Sequence, residues 1–375
     1  MNEDSMREEI ETRKRKFLQS MEEQGLQTVL VYANMLRKEN LRYLTNFNPL
    51  EPGAVALFTS KGESILMTPV VSEAIRAENG VWMDDIFSYD GEISRIVSTL
   101  KKLEISGGLG IVGWEYVPME LIKGLRSSPS QIEPVDATAL VHRLRVVKSE
   151  SEVQKITKAA QIADAAFSYL VANMKPGMRE YELIALTEYK IRQSFGEDNF
   201  QLLASSQGES RAMHPATNKT INPGDIFLTE ISPQFDGYYA QLCRTVVVGE
   251  ISKDRQKAHD IMYRAQQRGI EEVRPGMTAS DLARIQNDVF REEGYAEFVS
   301  EKYTRGRGHG IGLYIDEEPL IAEGNDYTLA EGMVLMIHPN TYLPLSGYIV
   351  LGDPVSVTSD GGKRLNHSER GLIAI

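Results

Sequence analysis

The chain has 375 residues, 42% of them hydrophobic, and a formal net charge of −12 from 41 basic and 53 acidic residues. That length predicts about two domains, each large enough to bury a core, and the negative balance excludes the positive field that nucleic acid or anionic lipid needs. No run approaches the ~20 apolar residues that cross a bilayer, so a membrane span is excluded as well.

A single cysteine, Cys243, rules out an internal disulfide, and the opening stretch MNEDSMREEIETRKRKF is charged where a signal peptide would be apolar. A cytoplasmic protein is expected. Residues 4–24 carry Ile10, Phe17, Leu18 and Met21 at helical spacing and read as an amphipathic helix. The runs TVLVYA (28–33), GAVALFTS (53–60), ESILMTP (63–69) and GGLGIVG (107–113) read as strands, with a helix over 91–105 among them. GLGIVG spells G-x-G-x-x-G, but WEYVP follows instead of a capped helix, so a strand with glycine edges is expected rather than a phosphate loop. Asn218 and Asn366 open glycosylation sequons by spelling only. This alternation predicts a small α/β domain over 1–143, followed by a second domain over 144–375.

The second domain opens on a long helix. Ser149 can cap it with Glu152 three residues on, and Val153, Ile156, Ala160 and Ala163 give it an apolar face. KPGMREYELIALTEYKIRQSFG (175–196) returns as RPGMTASDLARIQNDVFREEGY (274–295), with Pro176 and Pro275 separated by 99 residues. Such a repeat predicts two related αβ halves about a pseudo-twofold, with a cleft between them. After the first copy, IFLTEIS and YYAQLCRTVVV read as two strands turned across Pro233 to Gly237. Alternation puts Gln241 and Cys243 on one face of the second strand and Glu230 on the first, with Glu230 and Gln241 facing each other.

GDIFLTEIS, GYYAQLCRT, GHGIGLYIDEEP and GMVLMIHPN, in that order, resemble the creatinase, prolidase and aminopeptidase P family, of M24 type. ENLRYLTNF (39–47) and HRLRVVKSESEVQKI (142–156) extend the likeness to the first domain and the junction. The resemblance implies a creatinase-type α/β domain, then a pita-bread catalytic domain. It also implies a homodimer in which NFNPLEPG (46–53) serves the partner's cleft.

Metal-dependent members hold two ions through two aspartates, a histidine and two glutamates. Those positions here are Glu230, Gln241, His309, His338 and Gly352. One carboxylate in place of four leaves two divalent ions repelling each other, so neither metal nor cofactor is expected. A single zinc or iron(II) on Glu230, His309 and His338 is the alternative. MHPATNKTINPGDI resembles the stretch around the catalytic histidine of metal-free creatinase, which maps onto His214. The two glutamates of the creatinase clamp map onto Cys243 and His338, and no matching arginine follows GHGIGLY. Creatine itself is therefore not the expected substrate.

The reading drawn from this is a metal-independent, creatinase-like hydrolase of a C–N bond in a small polar molecule of amidine, guanidine, lactam or amide type. His214 is its general acid/base, Glu230, His309 and His338 are catalytic, and Cys243 is either a nucleophile or a buried wall. Gln241, Arg305, Arg307, Asp316 and Glu317 bind the substrate. Two alternatives stand beside it: an Xaa-Pro metallopeptidase with a mononuclear site, and a binding module that has lost catalysis.

Overall fold

A computed structural model describes residues 3–103, 108–127, 132–208 and 210–375. It divides into two compact units, Met1–Arg145 and Val146–Ile375.

The first unit runs α1 (Glu3–Glu23), β1 (Thr28–Ala33), α2 (Glu39–Thr45), β2 (Ala54–Thr59), β3 (Ser64–Thr68), α3 (Val71–Ala77), β4 (Asp85–Ser88), α4 (Ile93–Lys102), β5 (Gly108–Val112), α5 (Met119–Arg126), β6 (Glu133–Asp136) and α6 (Thr138–Val146). Its six-stranded mixed sheet has the order β4-β3-β2-β1-β5-β6. The central strands β1 and β2 are buried along their whole length, which is why they read as continuous apolar runs rather than alternating ones. Ile96, Val97 and Leu100 of α4 and Leu121, Ile122 and Leu125 of α5 close one core over them. GLGIVG forms β5 and its edge, as its lack of a capped helix predicts. Residues 104, 105 and 107 of the expected helix and strand lie outside the described residues.

The second unit begins with α7 (Glu150–Asn173), closed by the expected capping box: Glu152 N donates to Ser149 Oγ at 3.3 Å and Ser149 N donates to Glu152 Oε2 at 2.9 Å. There follow α8 (Glu180–Gln193), β7 (Asn199–Ser206), β8 (Ile226–Phe235), β9 (Tyr238–Tyr239) and β10 (Leu242–Val247). The second half comprises α9 (Lys253–Glu272), α10 (Ala279–Glu292), a 3-10 turn, β11 (Gly308–Gly310), β12 (Glu317–Leu320), β13 (Val334–Ile337), β14 (Thr341–Leu343), β15 (Gly347–Ile349), β16 (Asp353–Thr358), β17 (Gly361–Arg364) and β18 (Ile373–Ala374).

The repeat is visible bond by bond. α8 and α10 start at Glu180 and Ala279, the same offset as the two prolines. Gly177 N donates to Ile221 O at 2.9 Å where Gly276 N donates to Leu329 O at 2.8 Å, and Ile221 N and Leu329 N return bonds to Met178 O and Met277 O. Each helix pair covers its own sheet, ordered β18-β10-β8-β7 in one half and β12-β11-β13-β16-β17 in the other. The two sheets meet where Cys243 and Gly352 exchange a pair of backbone bonds, each 3.0 Å.

Two local expectations are corrected. The hairpin turns at Asp236-Gly237, both with positive φ (47° and 86°), so Pro233 lies inside β8. A two-residue Asp-Gly turn suits the twist of the flanking strands, and the chain takes it. Gln241 precedes β10, and the residue opposite Glu230 in the ladder is Cys243. Among the described residues no helix is long and apolar enough to cross a membrane.

Candidate functional site

Glu230 stands in the middle of β8, where the ladder with β10 sets it against Cys243, Oε2 lying 4.0 Å from Sγ. The Gln241 amide donates to the Glu230 carboxyl. Burial nevertheless raises this carboxyl to about 7, with the Asp316 charge adding to the rise, because no cation compensates it. Gln241 is 4% exposed, and among the described residues its Oε1, like Oγ of Ser232 on the Glu230 face, has no hydrogen-bond partner. Each such atom costs about 1–3 kcal/mol while unmatched.

The Cys243–Gly352 joint is tight. A Cβ on Gly352 would sit 2.7 Å from His338 Cβ and 3.1 Å from Cys243 Sγ, so His338 and the thiol already fill the space. Behind the joint, Arg244 is 1% exposed and uses all five N–H groups. It donates to the carbonyls of Cys243 (2.8 Å), Gly352 (3.0 Å), Ser368 (3.2 Å) and Glu369 (2.8 Å), and to Asp353 Oδ1 (2.7 Å). Burial alone would push the Asp353 carboxyl up, but Arg244, Arg364 and Asn366 outweigh it and hold its pKa below the ordinary value.

His309 is carried on β11 between two glycines that leave no room for a side chain: a Cβ on Gly308 would lie 1.9 Å from Met336 O, and one on Gly310 2.0 Å from Glu318 O. The strand is thereby clasped between β12 and β13, and the His309 ring meets that of His338 edge-on at 5.0 Å. Burial lowers both pKa values, that of His338 further with His309 beside it, so both rings are neutral near pH 7. Asp316 lies 3.7 Å from His309 Nδ1 and is itself gripped by Arg305 at 2.6 and 2.8 Å. Asn340 bonds to the Cys243 thiol, and the partly buried Tyr348 ring lies within the electrostatic reach of Cys243 and Glu230.

The sequence-predicted residues thus divide. Glu230, Gln241, Cys243, His309 and His338 come together, with Asp316 and Arg305 adjoining. Burial first and Glu230 second push the Cys243 thiol well above its ordinary value; it stays protonated, which favours the wall reading over the nucleophile. His214 follows Met213, which packs against the apolar cluster that includes Cys243. Its Nδ1 meets Pro215 O at 2.8 Å, and among the described residues no hydrogen bond, ion pair or ring contact joins it to the cluster. Three residues on, the Glu180 carboxylate takes Thr217 N (2.8 Å) and Oγ1 (2.7 Å) and ties that part of the loop to the start of α8. Glu317 is held in a buried pair with Lys148, 3.1 Å. Arg307 is buried over Phe290 and donates to Asn287 and to the carbonyls of Pro339 and Asn340, so it braces the loop behind His338. Sequence reasoning missed Asn340, Tyr348, Arg244 and Asp353; the last two directly follow Cys243 and Gly352, and that adjacency was the available signal.

Residues 154–359 match the model of Metallopeptidase family M24, more than half of the chain. The chain belongs to metallopeptidase family M24. Residues 13–147 match the Creatinase/Prolidase N-terminal domain, so the expected creatinase-type domain and pita-bread domain are both present. The chain is 29% identical over 370 residues to an Xaa-Pro dipeptidase of Pyrococcus furiosus, covering 98% of this chain and 100% of that one. It is 27% identical over 361 residues to an Xaa-Pro dipeptidase of Pyrococcus horikoshii, covering 96% and 98%. The solved X-Pro aminopeptidase of Thermotoga maritima superposes with a TM-score of 0.86 at 26% identity, over 96% of this chain and 99% of that one.

These relatives overturn the expected metal-independent amidine or lactam hydrolase and its creatinase-like class. Full-length M24 kinship runs to enzymes named for Xaa-Pro peptides, and the sequence reading gave too much weight to the creatinase-like stretch around His214.

Family M24 implies metal, and the residues at the family's five ligand positions do not fit a pair of ions. Gln241 offers a neutral amide oxygen in place of a carboxylate, Gly352 offers no side chain and no room for one, and burial raises the Glu230 carboxyl to about 7. Among the described residues no group of three or more His, Cys, Asp or Glu is placed to hold a metal. Two divalent ions there would meet at most one carboxylate from this set.

Proposed function

We propose that this M24 chain is a peptidase of the Xaa-Pro dipeptidase kind, acting on the peptide C–N bond that precedes proline in small dipeptides. The observation that carries this reading is end-to-end likeness, in sequence and in fold, to proteins named for that activity. The cluster offers chemistry suited to it. Glu230, at about 7, exchanges its proton near neutral pH, Gln241 orients it, and the neutral His309 and His338 rings accept hydrogen bonds. Purified protein incubated with Ala-Pro, Gly-Pro and Ala-Gly, with added manganese and separately after chelation, is expected to release proline from the first two. No proline above the protein-free rate under either condition sinks the proposal.

A second reading has one observation in its favour, the misfit of the five ligand positions to a metal pair. On that reading the chain binds Xaa-Pro peptides and does not turn them over, and the same assay with calorimetric binding of Ala-Pro separates the two. The chain is further proposed to form a homodimer, as its family resemblance implies. Light scattering after size exclusion is expected to give twice the 42.0 kDa chain mass, and a stable monomer would refute this.

A further inference from the structure

Away from the Glu230 cluster, the second unit holds a groove of about 670 Å³ between α7 and the β16–β17 pair. A space of that size encloses a whole small molecule. Val153, Gln154, Thr157 and Lys158 follow Glu150 at helical intervals, so one stripe of α7 lines it, beside the stripe that Ile156, Ala159 and Ala160 bury. Opposite stand Ser356 and Lys363, which face each other in the ladder, with Arg364 next to them. β17 is the edge strand of its sheet, so no further described strand covers this side.

The groove is unevenly charged. Lys158, Lys363 and Arg364 bring three positive charges to it and Glu150 one negative, on a chain whose net charge is −12. Among the described residues no carboxylate pairs with Lys158 or Lys363. Arg364 is only partly spent. Its Nη2 donates to Ser368 O at 2.9 Å, while its buried Nε makes no hydrogen bond and lies 3.5 Å from Asp353 Oδ2, a carboxylate already matched by Arg244 at 2.7 Å. Between the cations, Val153, Thr157 and the buried Leu365 supply aliphatic wall. Cations set around aliphatic wall complement an apolar body that carries more than one anionic group. A bare anion forgoes the wall, and a neutral molecule leaves the charges unanswered.

We propose that the groove between α7 and β17 binds a small organic anion with two or more negative charges, carboxylate or phosphate, on an apolar body, and that Lys158, Lys363 and Arg364 are its counter-charges. None of these residues belongs to the Glu230 cluster, so the site stands or falls independently of the dipeptidase proposal.

Calorimetric titration of the full chain at low ionic strength tests this with two pairs of probes, phthalate with benzamide and adenosine 5′-monophosphate with adenosine, and with inorganic phosphate. At least one of the two dianions is expected to bind one to one, at least about tenfold more tightly than its neutral partner and than inorganic phosphate. Which dianion it is shows whether the groove takes carboxylate or phosphate. Changing Lys158 and Lys363 together to Ala is expected to weaken that dianion by about tenfold, whereas changing both to Arg retains it. Both lysines are exposed, so the variants are expected to keep the circular dichroism spectrum of the parent. Failure of both dianions to bind more tightly than their neutral partners overturns the proposal. So does inorganic phosphate binding as tightly as the dianions, the groove then holding a bare ion, and so does unchanged affinity in the double alanine variant, the anion then sitting elsewhere.

Discussion

Replacing Arg244 by Ala is expected to destabilise the second unit by about 3–5 kcal/mol, because the buried Asp353 carboxylate loses its 2.7 Å guanidinium partner and keeps only the more distant Arg364 at 3.5 Å as a counter-charge. Arg244 and Asp353 are 1% and 0% exposed, and the guanidinium also ties the carbonyls of Cys243 and Gly352, so the loss falls on the joint between the two sheets. Urea unfolding followed by far-UV circular dichroism reads the effect as a lowered midpoint. A double change, Arg244→Met with Asp353→Leu, removes both charges and is expected to recover much of the loss, since a buried pair gives little net stability over an apolar pair of similar volume. A single variant as stable as the parent would show that the ion pair does not hold the joint.

Replacing Glu230 by Gln is expected to change how stability depends on pH. Burial raises this carboxyl from 4.5 to about 7 in the folded chain. Between those values the folded state therefore binds more protons than the unfolded state, and its contribution to stability falls as pH rises through that window. Glutamine has no proton to lose. The variant is thus expected to gain on the parent by roughly 2–3 kcal/mol between pH 4.5 and pH 8, as one pKa unit corresponds to about 1.4 kcal/mol. Asp353 and Glu180, whose pKa values are lowered, contribute the opposite slope, but they do so in both proteins and cancel in the comparison. Parallel stability curves for parent and variant would refute the burial argument.

Most of the frame is legible because it rests on local rules. Ser149 and Glu152 form their capping box, the two Pro-Gly repeats open matching helices, and the β8 alternation sends Glu230 and Ser232 to one face. The site is legible where strands carry it, as at Glu230, Cys243 and His309. It is less legible where a distant partner holds a loop or a side chain. Nothing near His214 in the chain indicates that Glu180, more than thirty residues earlier, will hold the loop at Thr217. Glu317 and Arg307 likewise read as free charges until Lys148 and Asn287 are seen to have claimed them. Function was misjudged for a related reason. Substituted ligand positions describe what a pocket can hold, whereas kinship along the whole chain bears on what it acts upon.

The crowding at position 352 constrains any attempt to build a carboxylate ligand into this joint. A glutamate introduced there first meets the β-carbon of His338 and the sulfur of Cys243 before its carboxyl can be used. No side-chain rotation moves the His338 β-carbon, so the backbone at the joint would have to part to admit any side chain at 352. A single replacement at 352 therefore disturbs the joint between the two sheets before it supplies a ligand.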